Sequence, residues 1–276
     1  MRRLILAAAI LAGVVSGAQA ADLPDIPILR GPVSEGLTTP GPVYWQGFYV
    51  GGHGATGVSD MNFAGATRDV AARLLDNTAI ETTGQVSQWP LLGKESRSKM
   101  GFGAFGGYNA QWDDVVLGLE ANYTRGAFGG TARDQMSRII STPDGYTNSV
   151  TYQGTAGINI TDMGSVRARA GYAWGAFLPY MFGGVALGVG DITRTARIFG
   201  NQVNAAAPVG FQNIPFDVSR TVTQSSHFLY GYSAGLGLDV MLIGGVFGRI
   251  EYEYLKFAAP IDTSVHTAKA GLGYKF

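Results

Sequence analysis

The stretch that decides the fold is "AKAGLGYKF" (residues 268–276), because its side chains alternate in character up to the last residue. One parity is small or charged and consists of Lys269, Gly271, Gly273 and Lys275. The other is apolar and consists of Ala268, Ala270, Leu272, Tyr274 and Phe276. A period of two is typical of a β-strand with one apolar face. Domains usually end in a few loose polar residues, so this ending predicts a strand that is used up to its terminal carboxylate.

The same alternation recurs along the chain in segments of strand length. We predict eight strands, at 45–58, 99–110, 115–126, 161–173, 178–190, 227–240, 246–257 and 264–276. A tilted membrane strand needs about 9–11 residues, which these segments supply. Residues 150–160 also alternate. We interpret them as an extension of the fourth strand, with a ten-stranded barrel as the alternative.

The connections between the segments separate a membrane barrel from a soluble sandwich, which would show similar alternation. Three of them, 111–114, 174–178 and 241–245, are short. The intervening ones are long, at 59–98, 127–160 and 191–226, followed by the brief "AAPID" (258–262). Outer-membrane barrels have short periplasmic turns and longer outer loops. The sequence therefore predicts an all-β fold, a transmembrane up-and-down antiparallel barrel of eight strands with long extracellular loops and both termini periplasmic.

Composition agrees with a membrane protein and excludes several other classes. Charged residues make up 14% of the chain, against about 25% in typical soluble domains. The net charge is zero and there is no cysteine, which argues against nucleic-acid binding, disulfides and cysteine metal sites. Beyond the N-terminus no apolar run reaches the 18 residues of a helical span.

The N-terminal segment predicts export. Two arginines precede an apolar run that ends in "AQA" (18–20), which is the pattern of a signal peptide cleaved between Ala20 and Ala21. Residues 21–43 contain five prolines, so they are predicted to form an extended periplasmic linker. The predicted organisation is therefore a signal peptide at 1–20, a linker at 21–43 and a barrel at 44–276.

Eight charged residues share the parity that would point into the barrel. They are Glu120, Arg167, Arg169, Asp239, Arg249, Glu251, Glu253 and Lys269. Antiparallel pairing would place Glu120 near Arg167 and Arg169, and Glu253 opposite Lys269. Buried charges are tolerated when they are paired, and an eight-stranded barrel is just wide enough to be filled by its side chains. The pattern favours a self-neutralised plug, with a charged pore lining as the alternative.

Five aromatic residues cluster at the predicted short turns and indicate a periplasmic aromatic girdle. They are Tyr44, Trp45, Trp112, Trp174 and Phe177. In the first long loop, 66–78 could form a short helix with one apolar face. We interpret it as a loop helix, the alternatives being a lid or a surface contact.

Signals for catalysis are weak. "GFGAFG" (101–106) has the spacing of a dinucleotide fingerprint, but too few residues follow it to form the helix that such a site requires before the next strand. The three histidines lie in no arrangement with serine and an acid that would activate a nucleophile. The sequence therefore predicts no enzyme, no catalytic residue, no metal site and no cofactor.

The chain resembles the small porin-like outer-membrane β-barrel family of α-proteobacteria, a group of major surface antigens. The segments that carry the resemblance are "AADLP", "WQGFYVGGHGA", "GAFGGYNAQW", "LGLEANY", "GSVRARAGYAW", "LPYMFGGVALG" and "HTAKAGLGYKF". The resemblance implies that the C-terminal pattern is read by the outer-membrane assembly machinery. The residues that fit this signal are Ala268, Ala270, Leu272, Tyr274 and Phe276.

We therefore expect a multi-pass protein of the cell outer membrane, in contact with lipid and lipopolysaccharide, with a structural and surface-display role. One alternative is a narrow porin for small solutes. A second, implied by the resemblance, is haem binding by the loops 127–160 and 191–226. The sequence leaves open whether barrels associate into oligomers.

Overall fold

The computed structural model describes residues 43–259 and 261–276. The predicted signal peptide, and the predicted linker except for its last residue, lie outside the described residues. None of the described helices is both long enough and apolar enough to cross a membrane.

Eight antiparallel strands close into a barrel in the order β1 to β8, which confirms the predicted fold and strand number. Their bounds are β1 Gly47–Asn62, β2 Lys94–Trp112, β3 Val115–Ser141, β4 Thr147–Tyr172, β5 Phe177–Val203, β6 Asn213–Ile243, β7 Val246–Ala258 and β8 Asp262–Lys275. The ladder from Tyr49–Lys275 to Asn62–Asp262 joins the last strand to the first. Closure leaves no open edge in the lower barrel wall, so its backbone groups are satisfied without water.

Two of the predicted long loops are wrong, because residues 127–160 and 191–226 are mostly strand. β3 and β4 continue to a turn at 142–146, and β5 and β6 continue to a turn at 204–212. We name the paired segments 128–141, 147–160, 192–203 and 213–224 the upper sheet. The reading of 150–160 as an extension of the fourth strand is confirmed.

Irregularities in the ladders separate the upper sheet from the lower barrel. Register shifts lie between Arg125 and Phe128, between Ile160 and Asp162, and between Gly190 and Ile192. Since an inserted residue exchanges the two faces of a strand, β4 and β6 change parity here, which hid the continuation from a simple period-two reading. We call this level the bulge line.

The outer wall changes character at the bulge line. Below it, outward side chains such as Leu119, Val185 and Leu236 are apolar and exposed. Above it, outward positions carry residues such as Thr131, Gln135 and Ser219. An apolar band bounded by polar wall is the arrangement expected where a barrel leaves a bilayer.

The long connection between β1 and β2 folds back over the barrel mouth. It contains α1 (Arg68–Leu74), α2 (Ala79–Gly84) and a 3₁₀ turn (Val86–Gln88). We call residues 63–93 the cap. Its apolar face, including Val70 and Ala71, packs in one cluster with the inner face of the upper sheet. The predicted short helix in the first long loop is confirmed as α1, and it packs against the upper sheet over the barrel mouth.

Hydrogen bonds fix the cap to the upper sheet. The hydroxyls of Thr67 and Tyr152 lie 2.7 Å apart. Arg194 donates to the carbonyl of Ala66 at 3.2 Å and to the carboxylate of Asp69 at 2.8 Å. The start of α1 is thus joined to both β4 and β5, so cap and sheet form one packed unit.

Candidate functional site

The interior of the barrel is the candidate functional site, because whether it is open or filled decides between a pore and a structural role. At the short-turn end it is closed by a cluster that we name the aromatic plug. Its members are Trp45, Tyr49, Phe105, Val116, Ala173, Leu178 and Phe247. The rings of Phe247 contact those of Trp45, Tyr49 and Phe105 at centroid distances of 6.1 Å.

Trp45 was predicted as an interface aromatic, and this is wrong, because it is 1% exposed and lies in the aromatic plug. Its backbone N–H donates to Gln111 Oε1 at 2.7 Å, and its carbonyl accepts from Asn109 Nδ2 at 3.2 Å. Gly47, at φ +126°, lets the chain turn from the plug into β1, and a Cβ there would lie 2.8 Å from the carbonyl oxygen of Phe276.

The other four predicted interface aromatics are exposed at the short-turn end. They are Tyr44, Trp112, Trp174 and Phe177. In contrast to Trp45, these side chains are open to the surroundings and can lie at a membrane surface. An aromatic residue near a short turn can therefore lie either inside the barrel or on its outer surface.

Above the plug lies a layer that contains all eight predicted interior charges, each at most 5% exposed. We name it the ion layer. Glu120 lies at its centre and accepts from Arg249 Nη1 at 2.8 Å, Arg167 Nε at 3.0 Å and Arg169 Nη1 at 3.2 Å. The hydroxyl of Tyr49 also donates to Glu120, at 2.7 Å. One carboxylate therefore joins three guanidinium groups from two separate hairpins.

The remaining three carboxylates complete the ion layer. Asp239 accepts from Arg169 Nη2 and from Arg249 Nε, both at 2.7 Å. Glu251 accepts from Arg167 Nη1 at 2.8 Å. Four acidic and four basic side chains thus neutralise one another, as buried ion pairs require.

The predicted pair Glu253 and Lys269 also comes together, at 2.5 Å. The two residues are not direct partners in the ladder between β7 and β8. Lys269 lies directly across from Glu251, whereas Glu253 lies across from Thr267, two residues away on the same face. The lysine side chain spans this offset and additionally donates to Asn122 Oδ1 at 2.9 Å. Glu253 and Lys269 therefore form an ion pair because the lysine side chain is long, although the two residues do not lie opposite each other in the ladder.

Aromatic rings line the ion layer, and sequence reasoning missed them. Arg169 lies over the ring of Tyr180 at 3.8 Å, Arg167 over Phe182 at 3.9 Å and Arg249 over Phe105 at 3.9 Å. Such contacts stabilise a desolvated guanidinium. The guanidinium groups are therefore held by carboxylates at their edges and by rings on their faces.

Glycine on the adjacent strand was the signal that could have revealed these rings. Phe182 pairs with Gly235, and Tyr180 pairs with Gly237. A Cβ at Gly235 would lie 2.4 Å from the ring of Phe182, and one at Gly237 would lie 2.5 Å from that of Tyr180. The ring thus occupies the space that a side chain on the next strand would need.

Between the ion layer and the cap the interior is packed. The gap lined by Asn122, Met163, Ser165 and Leu255 is too small to hold a water molecule. His53 is buried beside it, with Nε2 3.0 Å from Thr124 Oγ1. Among the described residues no group of three or more histidine, aspartate or glutamate side chains could hold a metal ion.

The predicted assembly-signal residues lie on the outer surface of β8, except Phe276, which directly follows the strand. The side chains of Leu272, Tyr274 and Phe276 are 61%, 45% and 70% exposed, and Ala268 and Ala270 are exposed on the same face. The backbone N–H of Phe276 donates to the carbonyl of Phe48 at 2.9 Å. The strand is thus paired up to its last residue, with its apolar parity outward.

Comparison with known proteins places this geometry in a bacterial context. The chain is 28% identical over 174 residues to a "25 kDa outer-membrane immunogenic protein" of Brucella ovis, covering 63% of this chain and 62% of the relative. It is 24% identical over 244 residues to a "22 kDa outer membrane protein" of Rhizobium leguminosarum bv. viciae, covering 84% and 78%. The chain thus spans somewhat less than two thirds of the Brucella relative's length.

Among solved structures the chain is similar to Ail, the attachment invasion locus protein of Yersinia pestis, with a TM-score of 0.33 and 16% identity. The match covers 84% of this chain and 99% of Ail. It is also similar to Neisserial surface protein A, with a TM-score of 0.33 and 11% identity. This match covers 83% of this chain and 97% of the Neisserial protein. The model of one family, described as "Outer membrane protein beta-barrel domain", matches residues 6–276. Since this match covers nearly the whole sequence, the chain belongs to the outer membrane protein beta-barrel domain family.

Proposed function

We infer that this multi-pass β-barrel of the cell outer membrane, which is in contact with lipid, has its short-turn end in the periplasm and its upper sheet and cap on the cell surface. We propose that the barrel is a closed structural anchor that holds the upper sheet and cap in place for surface contacts, with no catalytic role.

The filled interior carries this proposal. From the periplasm outward the axis is occupied by the aromatic plug, the ion layer and the apolar cluster beneath the cap. Each layer draws side chains from opposite sides of the wall, as in the contact of Arg249 on β7 with Glu120 on β3. Opening a water path would separate paired charges and expose packed apolar side chains, both of which cost free energy.

Single-channel recording in a planar bilayer tests the proposal. We expect the folded barrel to produce no discrete conductance steps, whereas a general porin inserted into the same bilayer gives steps and serves as the positive control. Reproducible steps from the folded protein would contradict a closed interior and would favour the narrow-porin alternative.

The haem alternative depended on two open loops. Those segments are the upper sheet, whose inner face includes Val150, Ile158 and Ile198, each at most 2% exposed beneath the cap. Haem binding inside the sheet would require displacement of the cap, so we favour surface contact through the outer face and the hairpin ends.

We further propose that the assembly machinery recognises the outward face of β8. We expect Phe276→Ser to reduce the amount of assembled, heat-modifiable barrel in cells several-fold, with little effect on refolding of purified protein in detergent. Phe48→Ser is the matched control, because Phe48 is a 68%-exposed outward phenylalanine at the same end. Equal assembly of the two variants would contradict a specific role for the C-terminal residue.

A further inference from the structure

We infer that the end of the β5–β6 hairpin, residues 203–212, inserts into the surface of a lipid bilayer that faces the cell. We name this segment the apolar tip. The inference builds on the proposed surface role. Since vesicle binding and conductance are separate measurements, either can fail without the other.

The apolar tip exposes apolar side chains to water without charged neighbours in sequence. Val209 is 93% exposed, Phe211 60% and Val203 46%. No charged residue lies between Arg197 and Asp217. Exposed apolar groups concentrated at one place indicate a contact surface, and here they project from a convex turn.

The protein's own membrane cannot cover this segment. The β5–β6 ladder runs without interruption from Ile192–Gln224 at the bulge line to Val203–Asn213 at the tip. At about 3.3 Å per residue, this places the tip roughly 35 Å along the strands from the end of the apolar band. A bilayer that covers the tip must therefore approach from outside the cell.

Part of the backbone of the apolar tip is hydrogen-bonded within the segment. Asn204 N donates to Gln212 O at 3.0 Å, Ala207 N to Asn204 O at 3.2 Å and Phe211 N to Pro208 O at 2.9 Å. Pro208 has no N–H to satisfy. The backbone groups of the tip that lack such a partner must stay at the hydrated headgroup level, because a bilayer interior supplies no hydrogen-bond partner, so only the side chains insert.

The polar side chains of the apolar tip are also turned to its own backbone. Asn204 Oδ1 accepts from Ala206 N at 3.0 Å, and Gln212 Nε2 donates to Ala205 O at 3.4 Å. Two of the few polar groups in the segment are thus already partnered. The surface left for an outside partner is predominantly apolar, which is what insertion into lipid requires.

The neighbouring hairpin shows that the turn itself does not require apolar residues. The β3–β4 turn carries Asp144, whose pKa is held below its ordinary value by hydrogen bonds from the hydroxyl of Thr142 and the backbone of Tyr146. The hydroxyl of Tyr146 also donates to Phe211 O at 3.1 Å, which fixes the apolar tip against this charged turn. Only one of two adjacent hairpin ends is therefore fitted for lipid.

Co-flotation with zwitterionic phosphatidylcholine vesicles tests the inference, using the barrel held in nanodiscs as its own membrane. We expect V209S/F211S to bind vesicles at least about tenfold more weakly than the wild type, since two apolar side chains lose their burial. I139S is the control and should bind like the wild type, because Ile139 is 77% exposed on the adjacent hairpin outside the tip. Wild-type binding by V209S/F211S, or no binding by the wild type, would overturn the inference.

A fluorescent probe gives an independent reading, because the chain contains no native cysteine. We expect an environment-sensitive fluorophore on V209C to shift to shorter wavelength when vesicles are added, and one on I139C to remain unchanged. Equal shifts at both positions, or a shift at neither, would show that the tip is not the inserting segment. Vesicle binding that requires anionic lipid and persists in V209S/F211S would equally overturn the inference.

Discussion

Replacement of Glu120 by glutamine is expected to lower the free energy of unfolding by about 3–5 kcal/mol, the usual loss when one partner of a buried ion pair is removed. Glu120 accepts hydrogen bonds from three arginines and from Tyr49. Glutamine preserves the shape of the side chain but leaves four basic against three acidic groups in the ion layer. The surplus positive charge is buried without an acidic partner, so the cost falls on the folded state.

Urea titration of the barrel refolded into lipid vesicles measures this loss, with the heat-dependent shift in electrophoretic mobility reporting the folded fraction. Glu95→Gln is the matched control, because Glu95 contacts Arg97 at 3.4 Å and its side chain is 39% exposed. Exposed pairs contribute little, so the control should unfold at the wild-type urea concentration. An E120Q barrel with wild-type stability would show that the ion layer does not hold the two sides of the wall together.

The sequence predicts the membrane part of the fold because lipid imposes a simple rule there. Outward residues must be apolar, so period-two alternation marks the lower strands, and the inward charges of β3, β4, β6, β7 and β8 occupy the opposite parity. Ion pairing is equally predictable, since a charge buried in a narrow barrel needs a partner of opposite sign.

The upper sheet follows a different rule and escapes the same reading. Above the bulge line water replaces lipid, so the apolar residues point inward, as Tyr152 and Ile158 do, and the polar residues point outward. The bulges also change the parity of β4 and β6. A strand that exchanges its faces halfway along has no single period-two pattern.

Trp45 shows a second limit of sequence reasoning. A girdle aromatic and a plug aromatic are both found near a short turn, and their spacing does not distinguish them. The direction of Trp45 depends on Gly47 and on the side chains of Asn109 and Gln111. These contacts join residues more than sixty positions apart, and only the folded barrel brings them together.

The cap is expected to be required for the upper sheet but dispensable for the lower barrel. Its apolar face and the inner face of the sheet form one cluster, so each covers apolar side chains that the other would expose to water. The lower barrel has its own plug and ion layer. Loss of the cap should therefore cause local unfolding at the cell surface, since parts of a protein with separate cores open separately.

Ala71→Asp tests this separation, because Ala71 is 0% exposed and an unpaired carboxylate at its position would be both buried and too large. We expect amide hydrogen exchange in residues 147–160 and 192–203 to accelerate about a hundredfold, with exchange in 164–172 and 246–257 unchanged. Arg73→Asp places the same residue on an exposed position of α1 and should leave all four segments at wild-type rates. Faster exchange throughout the barrel would mean that the two parts unfold together, and unchanged exchange would mean that the sheet is stable without its cap.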